Sequence, residues 1–339
     1  MIWAAIAAAA SIAGAGCAPH DGLSFICGPV GAEDLAPVPG APWLISSGLD
    51  LGGGGGHLYL VDTTTKRARI LSVRTATPNP GCPGPPDPAK MSTDGLTLRP
   101  GAGGRHMLYV ANHGDRRAIE MFRIDARANI PTATWVGCAP MPTGALPNAV
   151  AALSGRRLVV TSFHDPDDKQ AWERMARQEP TGSVWEWRPD RGFHRLDTGP
   201  ISGANGVEVS RDERTLYVSA WSSSKLVMID LKTGKRREIG LDFLPDNIKR
   251  GPGGSLLIGG QKTTVASIGA CNGPQCPQDW VVVSLDPRRG RVSPLVSRHG
   301  DASVNYAATG LKVGGELYIT VRGDQRIAYI PTRALPSLD

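Results

Sequence analysis

The chain has 339 residues and a formal net charge of +6, with 41% hydrophobic and 20% charged residues. That much apolar material excludes an intrinsically disordered chain and suffices for one large all-β core or two ordinary domains. The positive charge is scattered as single Arg and Lys residues. The longest basic run is Lys235-Arg236-Arg237, with no aromatic interleaving, which argues against a nucleic-acid partner.

Residues 1–18 open with an uncharged apolar run and end in the small residues Gly14-Ala15-Gly16-Cys17-Ala18. The run is too short to span a bilayer and reads as a secretory signal peptide cleaved after Ala15 or Ala18. In the lipoprotein variant of this reading, Cys17 carries a lipid, and that anchor is the only membrane link expected. The product is a secreted or periplasmic protein, expected to act as a monomer. Six cysteines suit an oxidising compartment. Cys271 and Cys276 flank the turn-rich Asn272-Gly273-Pro274-Gln275 and are read as one disulfide. Cys82 and Cys138, at the ends of adjacent proposed blades, are read as another. With Cys17 removed or lipidated, Cys27 is left over.

Residues 19–339 read as a single domain. Helical periodicity is nearly absent, and short β-rich runs recur between Gly, Pro and Asp turns. The best strands are Trp43-Leu44-Ile45-Ser46, Leu108-Tyr109-Val110-Ala111, Leu158-Val159-Val160-Thr161, Leu216-Tyr217-Val218-Ser219, Leu256-Leu257-Ile258-Gly259 and Leu317-Tyr318-Ile319-Thr320. Each is preceded by an opening: Glu33-Asp34-Leu35, Asp94-Gly95-Leu96, Asn148-Ala149-Val150, Asn205-Gly206-Val207, Asp246-Asn247-Ile248, and a degenerate sixth at Tyr306-Ala307. The starts are 61, 54, 57, 41 and 60 residues apart, the length of a four-stranded blade plus loops. These repeats predict an all-β fold, a six-bladed β-propeller over residues ~30 to 331, with Leu23-Ser24-Phe25-Ile26 supplying the missing strand of the last blade. A pair of β-sandwich domains is the rival, but no linker divides the chain.

One segment departs from the β pattern. Asp165 reads as an N-cap and Pro166 as the first helical position, predicting an inserted lid helix over 165–177 in blade three. The glycine run 52–56 reads as a flexible hairpin loop, since no Gly-Lys-Ser/Thr follows it.

In a propeller the inner strand of every blade starts on one face, and the second strand returns to it. The starts bring Glu33, Asp94, Asn148, Asn205 and Asp246 together. The returning ends bring Gly48, His113, Phe163 with His164, Trp221, Gln261 and Arg322. A ring of carboxylate and amide oxygens without Cys selects a hard cation such as Ca²⁺. An Asn-Gly or Asp-Asn pair alone is more often a turn; recurrence at equivalent blade positions makes these ligand candidates. Glu33, Asn148, Asn205 and Asp246 are the predicted ligands, with Asn247 as an extra one.

These residues resemble the calcium-dependent six-bladed propeller hydrolases of the senescence marker protein, gluconolactonase and paraoxonase superfamily, most closely the paraoxonase/arylesterase branch. The resemblance runs in order through Glu33-Asp34 with Leu44-Ile45-Ser46-Ser47-Gly48-Leu49, Val110-Ala111-Asn112-His113, Leu146-Pro147-Asn148, Ser162-Phe163-His164-Asp165-Pro166 with Gln170-Ala171-Trp172-Glu173, Ala204-Asn205-Gly206-Val207 and Pro245-Asp246-Asn247-Ile248. It implies a catalytic calcium on Glu33, Asn148, Asn205, Asp246 and Asn247. It also implies a second, structural calcium on Asp34, the Leu96 carbonyl and an acidic residue after Asn148, where this chain has Ala149. Where paraoxonases carry His-Gly-Ile this chain has Asp94-Gly95-Leu96, so a carboxylate stands in for the first histidine of a pair whose second member is His113.

The implied activity is hydrolysis of a small-molecule ester or lactone. Asp94 and His113 are the candidates to activate water, and Asp246 is a weaker one. Phe163, His164, Trp221, Gln261, Arg322 and the lid helix would line the substrate pocket. The alternatives are a non-catalytic binding propeller whose calcium is structural or lost, and a strictosidine-synthase-like enzyme. Serine hydrolase chemistry is disfavoured by the absence of a Gly-x-Ser-x-Gly elbow.

Overall fold

A computed structural model describes residues 17–50, 56–79, 81–271, 276–301, 304–321 and 325–336. The glycine run 52–56, apart from Gly56, and the predicted pocket residue Arg322 lie outside the described residues, as does the segment 1–16. Six antiparallel sheets follow one another around a ring. Their inner strands are Ala32–Pro37, Thr93–Arg99, Pro147–Ala152, Ala204–Val209, Leu244–Arg250 and Ala307–Val313. Each packs against the inner strands of both neighbouring blades, so the ring is closed. The six strands read from sequence are the second strands of the six blades, for example Leu158–Ser162 and Leu256–Gln261.

Ring closure uses the predicted N-terminal segment. Ser24–Cys27 pairs antiparallel with the last strand, Arg326–Pro331, matching Ser24 to Tyr329 and Cys27 to Arg326. Blade two carries a fifth strand, Val73–Thr75, parallel to Thr132–Pro140.

Alternation within the strands sends one set of side chains to each side of a blade, so every interface between blades has its own apolar cluster. Between blades one and two lie Ile45, Leu60, Leu96, Val110, Phe122 and Trp135. Between blades three and four lie Ala149, Val159, Val184, Val207 and Val218. The remaining four interfaces are filled in the same way.

The predicted 165–177 helix is shorter than expected. Asp165 Oδ1 accepts from the Asp167 amide at 2.9 Å and Asp168 Oδ1 from the Gln170 amide at 3.0 Å. Both side chains hold local turns instead of capping a helix, and α1 begins only at Ala171, spanning Ala171–Ala176. A second helix not anticipated from sequence, α2 (Val265–Ala270), is capped by Thr264, whose hydroxyl accepts from the Ser267 amide. Met175 of α1 and Val265 and Ile268 of α2 pack with Trp221, Leu244 and Tyr306 on the face where the inner strands start.

Three disulfides are present: Cys82–Cys138, Cys271–Cys276 and Cys17–Cys27. The first two match the sequence reading. The third corrects it, because Cys27 is not left over. Three disulfides indicate an oxidising location. Among the described residues no helix is long and apolar enough to cross a membrane.

Candidate metal and catalytic site at the propeller axis

All six inner strands break register with their partners at their first residues, between Ala32 and Leu35, Thr93 and Leu96, Pro147 and Val150, Ala204 and Val207, Pro245 and Ile248, and Ala307 and Gly310. The skipped pairs are Glu33-Asp34, Asp94-Gly95, Asn148-Ala149, Asn205-Gly206, Asp246-Asn247 and Ala308-Thr309. A bulge re-aims the side chains it carries. The recurrent polar openings of the sequence are therefore six bulges facing one axis, and the true sixth member is Ala308-Thr309, two residues beyond the expected Tyr306-Ala307. Glycine in two of these pairs lets adjacent inner strands touch. A Cβ on Gly95 would fall 2.6 Å from Ala149 Cα, and one on Gly206 would strike the Asp246 carbonyl.

Glu33, Asp94, Asn148, Asn205, Asp246 and Asn247 are all under a tenth exposed. Asn148 Nδ2 donates to Asp94 Oδ2 at 3.1 Å, and Asn247 Nδ2 donates to the Glu33 carbonyl at 3.3 Å. The Glu33 carbonyl also accepts from Thr309 and Thr320 hydroxyls at 2.9 and 2.8 Å, and the Asn205 carbonyl from Thr161 at 2.5 Å. These threonines, invisible as site residues in the sequence, lock the bulges. The donated hydrogen bond from Asn148 fixes its amide so that Oδ1 faces away from Asp94. Asn148 Oδ1 and Asn205 Oδ1 are buried, with no hydrogen-bond donor in reach.

A buried amide oxygen left without a donor costs about 1–3 kcal/mol. Two such oxygens beside a set of carboxylates fit a hard cation that takes oxygen ligands. Among the described residues no group of three or more His, Cys, Asp or Glu side chains has metal-holding geometry, so the amides are essential to any such site.

Asp94 and His113 do meet: His113 Nε2 lies 3.2 Å from Asp94 Oδ2, and it also hydrogen-bonds the Pro147 carbonyl. A ring nitrogen facing two oxygen acceptors carries its proton, which makes Asp94 the proton-accepting member of the pair.

Two expected pocket residues are buried and joined to Asp246. Gln261 is fully buried and Trp221 nearly so. Trp221 Nε1 donates to Gln261 Oε1 at 2.9 Å, and Gln261 Nε2 donates to Asp246 Oδ2 at 2.9 Å and to the Ala307 carbonyl at 3.0 Å. The pair is a relay that orients Asp246. Phe163 does reach the site face, 5.4 Å from Trp221 and 6.3 Å from Trp172 by ring centroids. Trp172 of α1, 43% exposed, stands 6.0 Å from Trp221 and completes an aromatic roof. His164 is at its edge, its Nδ1 2.8 Å from the Asp165 carbonyl.

The lower part of the axis departs most from expectation. Asp34 and the Leu96 carbonyl, expected to hold a second ion, both face Lys249, whose Nζ lies 2.7 Å from Asp34 Oδ2 and 3.0 Å from Leu96 O. Asp34 Oδ2 also accepts from the Leu96 amide at 2.8 Å, and Oδ1 from the Leu35 amide at 2.8 Å; Oδ1 lies 3.0 Å from the Thr309 hydroxyl, whose one proton it shares with the Glu33 carbonyl.

No family model matches the chain, and no curated protein matches it. Among solved structures it resembles a luciferin-regenerating enzyme, with 13% identity and a TM-score of 0.59 over 94% of this chain and 98% of that one. It resembles a gluconolactonase from Xanthomonas campestris with 20% identity and a TM-score of 0.56, over 93% and 89% of the two chains. For the calcium-binding protein regucalcin from Agrobacterium tumefaciens the values are 11%, 0.54, 90% and 90%. The superfamily named from the sequence is represented among these neighbours, and none of the three is a paraoxonase. What the chain shares with them is the six-bladed propeller fold.

Proposed function

We propose that the chain is a calcium-dependent hydrolase of esters or lactones. The observation carrying this reading is the pair of buried, donor-less amide oxygens of Asn148 and Asn205 on bulges beside Glu33 and Asp246. Glu33, Asn148, Asn205, Asp246 and Asn247 would hold the ion. Bound there, Ca²⁺ would supply Lewis-acid stabilisation of the negative charge that develops on a carbonyl oxygen.

The chain's own residues supply the rest. Asp94, oriented by hydrogen bonds from Asn148 and His113, takes a proton from the attacking water. Thr161, Thr309 and Thr320 hold the bulges rigid, so that little reorganisation accompanies reaction. Phe163 and Trp172 offer an apolar surface for the acyl or aryl part of the substrate and limit water at the axis. Secretion or periplasmic export, supported by the disulfides and the apolar leader, would place the enzyme where calcium is abundant.

The test is a panel of aliphatic lactones, sugar lactones, phenyl acetate and a phosphotriester, with and without EDTA, on wild type, Asn205→Ala and Asp94→Asn. EDTA-sensitive turnover lost in Asn205→Ala is expected. A panel without EDTA-sensitive turnover would leave the binding-propeller alternative.

A further inference from the structure

In a six-bladed ring, blade five lies opposite blade two and two blades from blade one. Lys249, on the inner strand of blade five, reaches across to Asp34 of blade one and to the Leu96 carbonyl of blade two. Its side chain is 13% exposed and that of Asp34 is 3%. The ammonium therefore bridges three inner strands, at the second bulge residue of blade one, Asp34, and at Leu96, which follows the bulge of blade two.

We propose that Lys249 is a built-in cation that fills the lower axial position, so that the chain holds one divalent ion and not two. The coordination of Asp34 carries the argument. A carboxylate offers about four lone-pair sites, and Asp34 already receives the Leu35 and Leu96 amides and the Lys249 ammonium, with the one Thr309 hydroxyl proton shared between it and the Glu33 carbonyl. The Leu96 carbonyl, the other oxygen aimed into this space, is also engaged by Lys249. The upper position is the reverse case, with the Asn148 and Asn205 oxygens lacking donors. The two levels of the axis are built differently: the upper has two amide oxygens without donors, and the lower carries its own cation. Because Asp34 directly follows Glu33, Lys249 is also a positioning residue for the upper site.

The count of one rests on the proposed upper site, whereas the role of Lys249 does not, and the experiment separates them. Calcium bound per chain is measured by equilibrium dialysis and titration calorimetry, with melting temperature in EDTA and in calcium as a second readout. Wild type is expected to bind one ion, Lys249→Met two, Asn205→Ala none, and Asn205→Ala/Lys249→Met one. If the upper-site reading fails, wild type binds none while Lys249→Met binds one, and the lower-site proposal stands. Folding of Lys249→Met only in calcium also supports it, because the ion then does the work of the ammonium. Two ions on wild type, an equal count on wild type and Lys249→Met, or a Lys249→Met chain that stays unfolded at saturating calcium would overturn it.

Discussion

Replacing Gln261 by methionine removes one side chain and leaves three buried groups without their partner: the Asp246 carboxylate, the Ala307 carbonyl and the Trp221 indole N–H. Methionine has a similar volume and one less branch, so packing changes little and the loss is polar. At about 1–3 kcal/mol for each abandoned group, with the carboxylate at the upper end and some relaxation, the cost is roughly 3–6 kcal/mol. For a chain of this length the unfolding entropy is about 0.7 kcal/mol per kelvin, so the melting temperature in EDTA should fall by roughly 4–9 °C. Calcium affinity should fall roughly 10–100-fold, the usual effect of losing a group that orients a ligand. Gln261→Glu separates the effects: it sets a second carboxylate against Asp246, so its loss in EDTA should be comparable but its recovery in calcium larger. Differential scanning calorimetry and calcium titration calorimetry give both numbers. A Gln261→Met protein melting within about 1 °C of wild type in EDTA, with unchanged calcium affinity, would refute the relay.

EDTA on wild type should lower the melting temperature by roughly 6 °C if calcium is present at ~1,000 times its Kd, since that ratio is worth about 4 kcal/mol; Asn205→Ala should show no such difference. Asp94→Asn should cut kcat by roughly 10²–10⁴ with little change in KM, while retained turnover would remove Asp94 as base. The Cys82–Cys138 bridge closes a separation of 56 residues and Cys271–Cys276 one of 5; chain entropy predicts that Cys138→Ser, paired with Cys82→Ser, costs about 4 kcal/mol against about 2 for the shorter bridge, to be read by denaturant melts. Burial alone would raise the Glu186 carboxyl, but hydrogen bonds from Arg188 and Arg157 outweigh it and hold it below the usual range. A depressed folded value contributes stability that is complete above the unfolded pKa of ~4.3 and is lost as pH falls through the folded value. Glu186→Gln should therefore flatten the acid limb of the stability curve below ~pH 4.5, and an unchanged limb would argue against the assignment.

The fold was legible because the second strand of each blade is buried on both sides and short, and so reads as an apolar run such as Leu158–Ser162. The candidate ligands were legible because a bulge on an inner strand tolerates Asn, Asp and Gly, residues a regular strand disfavours. Lys249 was not legible, since its meaning depends on reaching across the ring to Asp34, a partner 215 positions away. Gln261 and Trp221 read as rim residues because their positions at strand ends are right, while Trp221 is covered by α1 and α2, whose six residues each carry too little periodicity to be seen. The shortened α1 has a local cause: Asp165 and Asp168 have the chemistry of caps but spend it on turns.

Ser24–Cys27 completes the sheet that residues 307–331 begin, which has a consequence for how the molecule is made. Ser24–Cys27 is synthesised long before Arg326–Pro331, the strand it pairs with, so it finds its place only after blade six has been made. Such a contact has a very large sequence separation, and its loop-closure entropy is met late in folding. Blade six therefore waits with an open edge until the N-terminal segment docks, and Cys17–Cys27 then fastens the flank of that segment. Assembly of the ring is a joining of an early segment to a late one, and a deletion that spares every axial residue but removes residues 17–27 should yield a protein that aggregates through blade six.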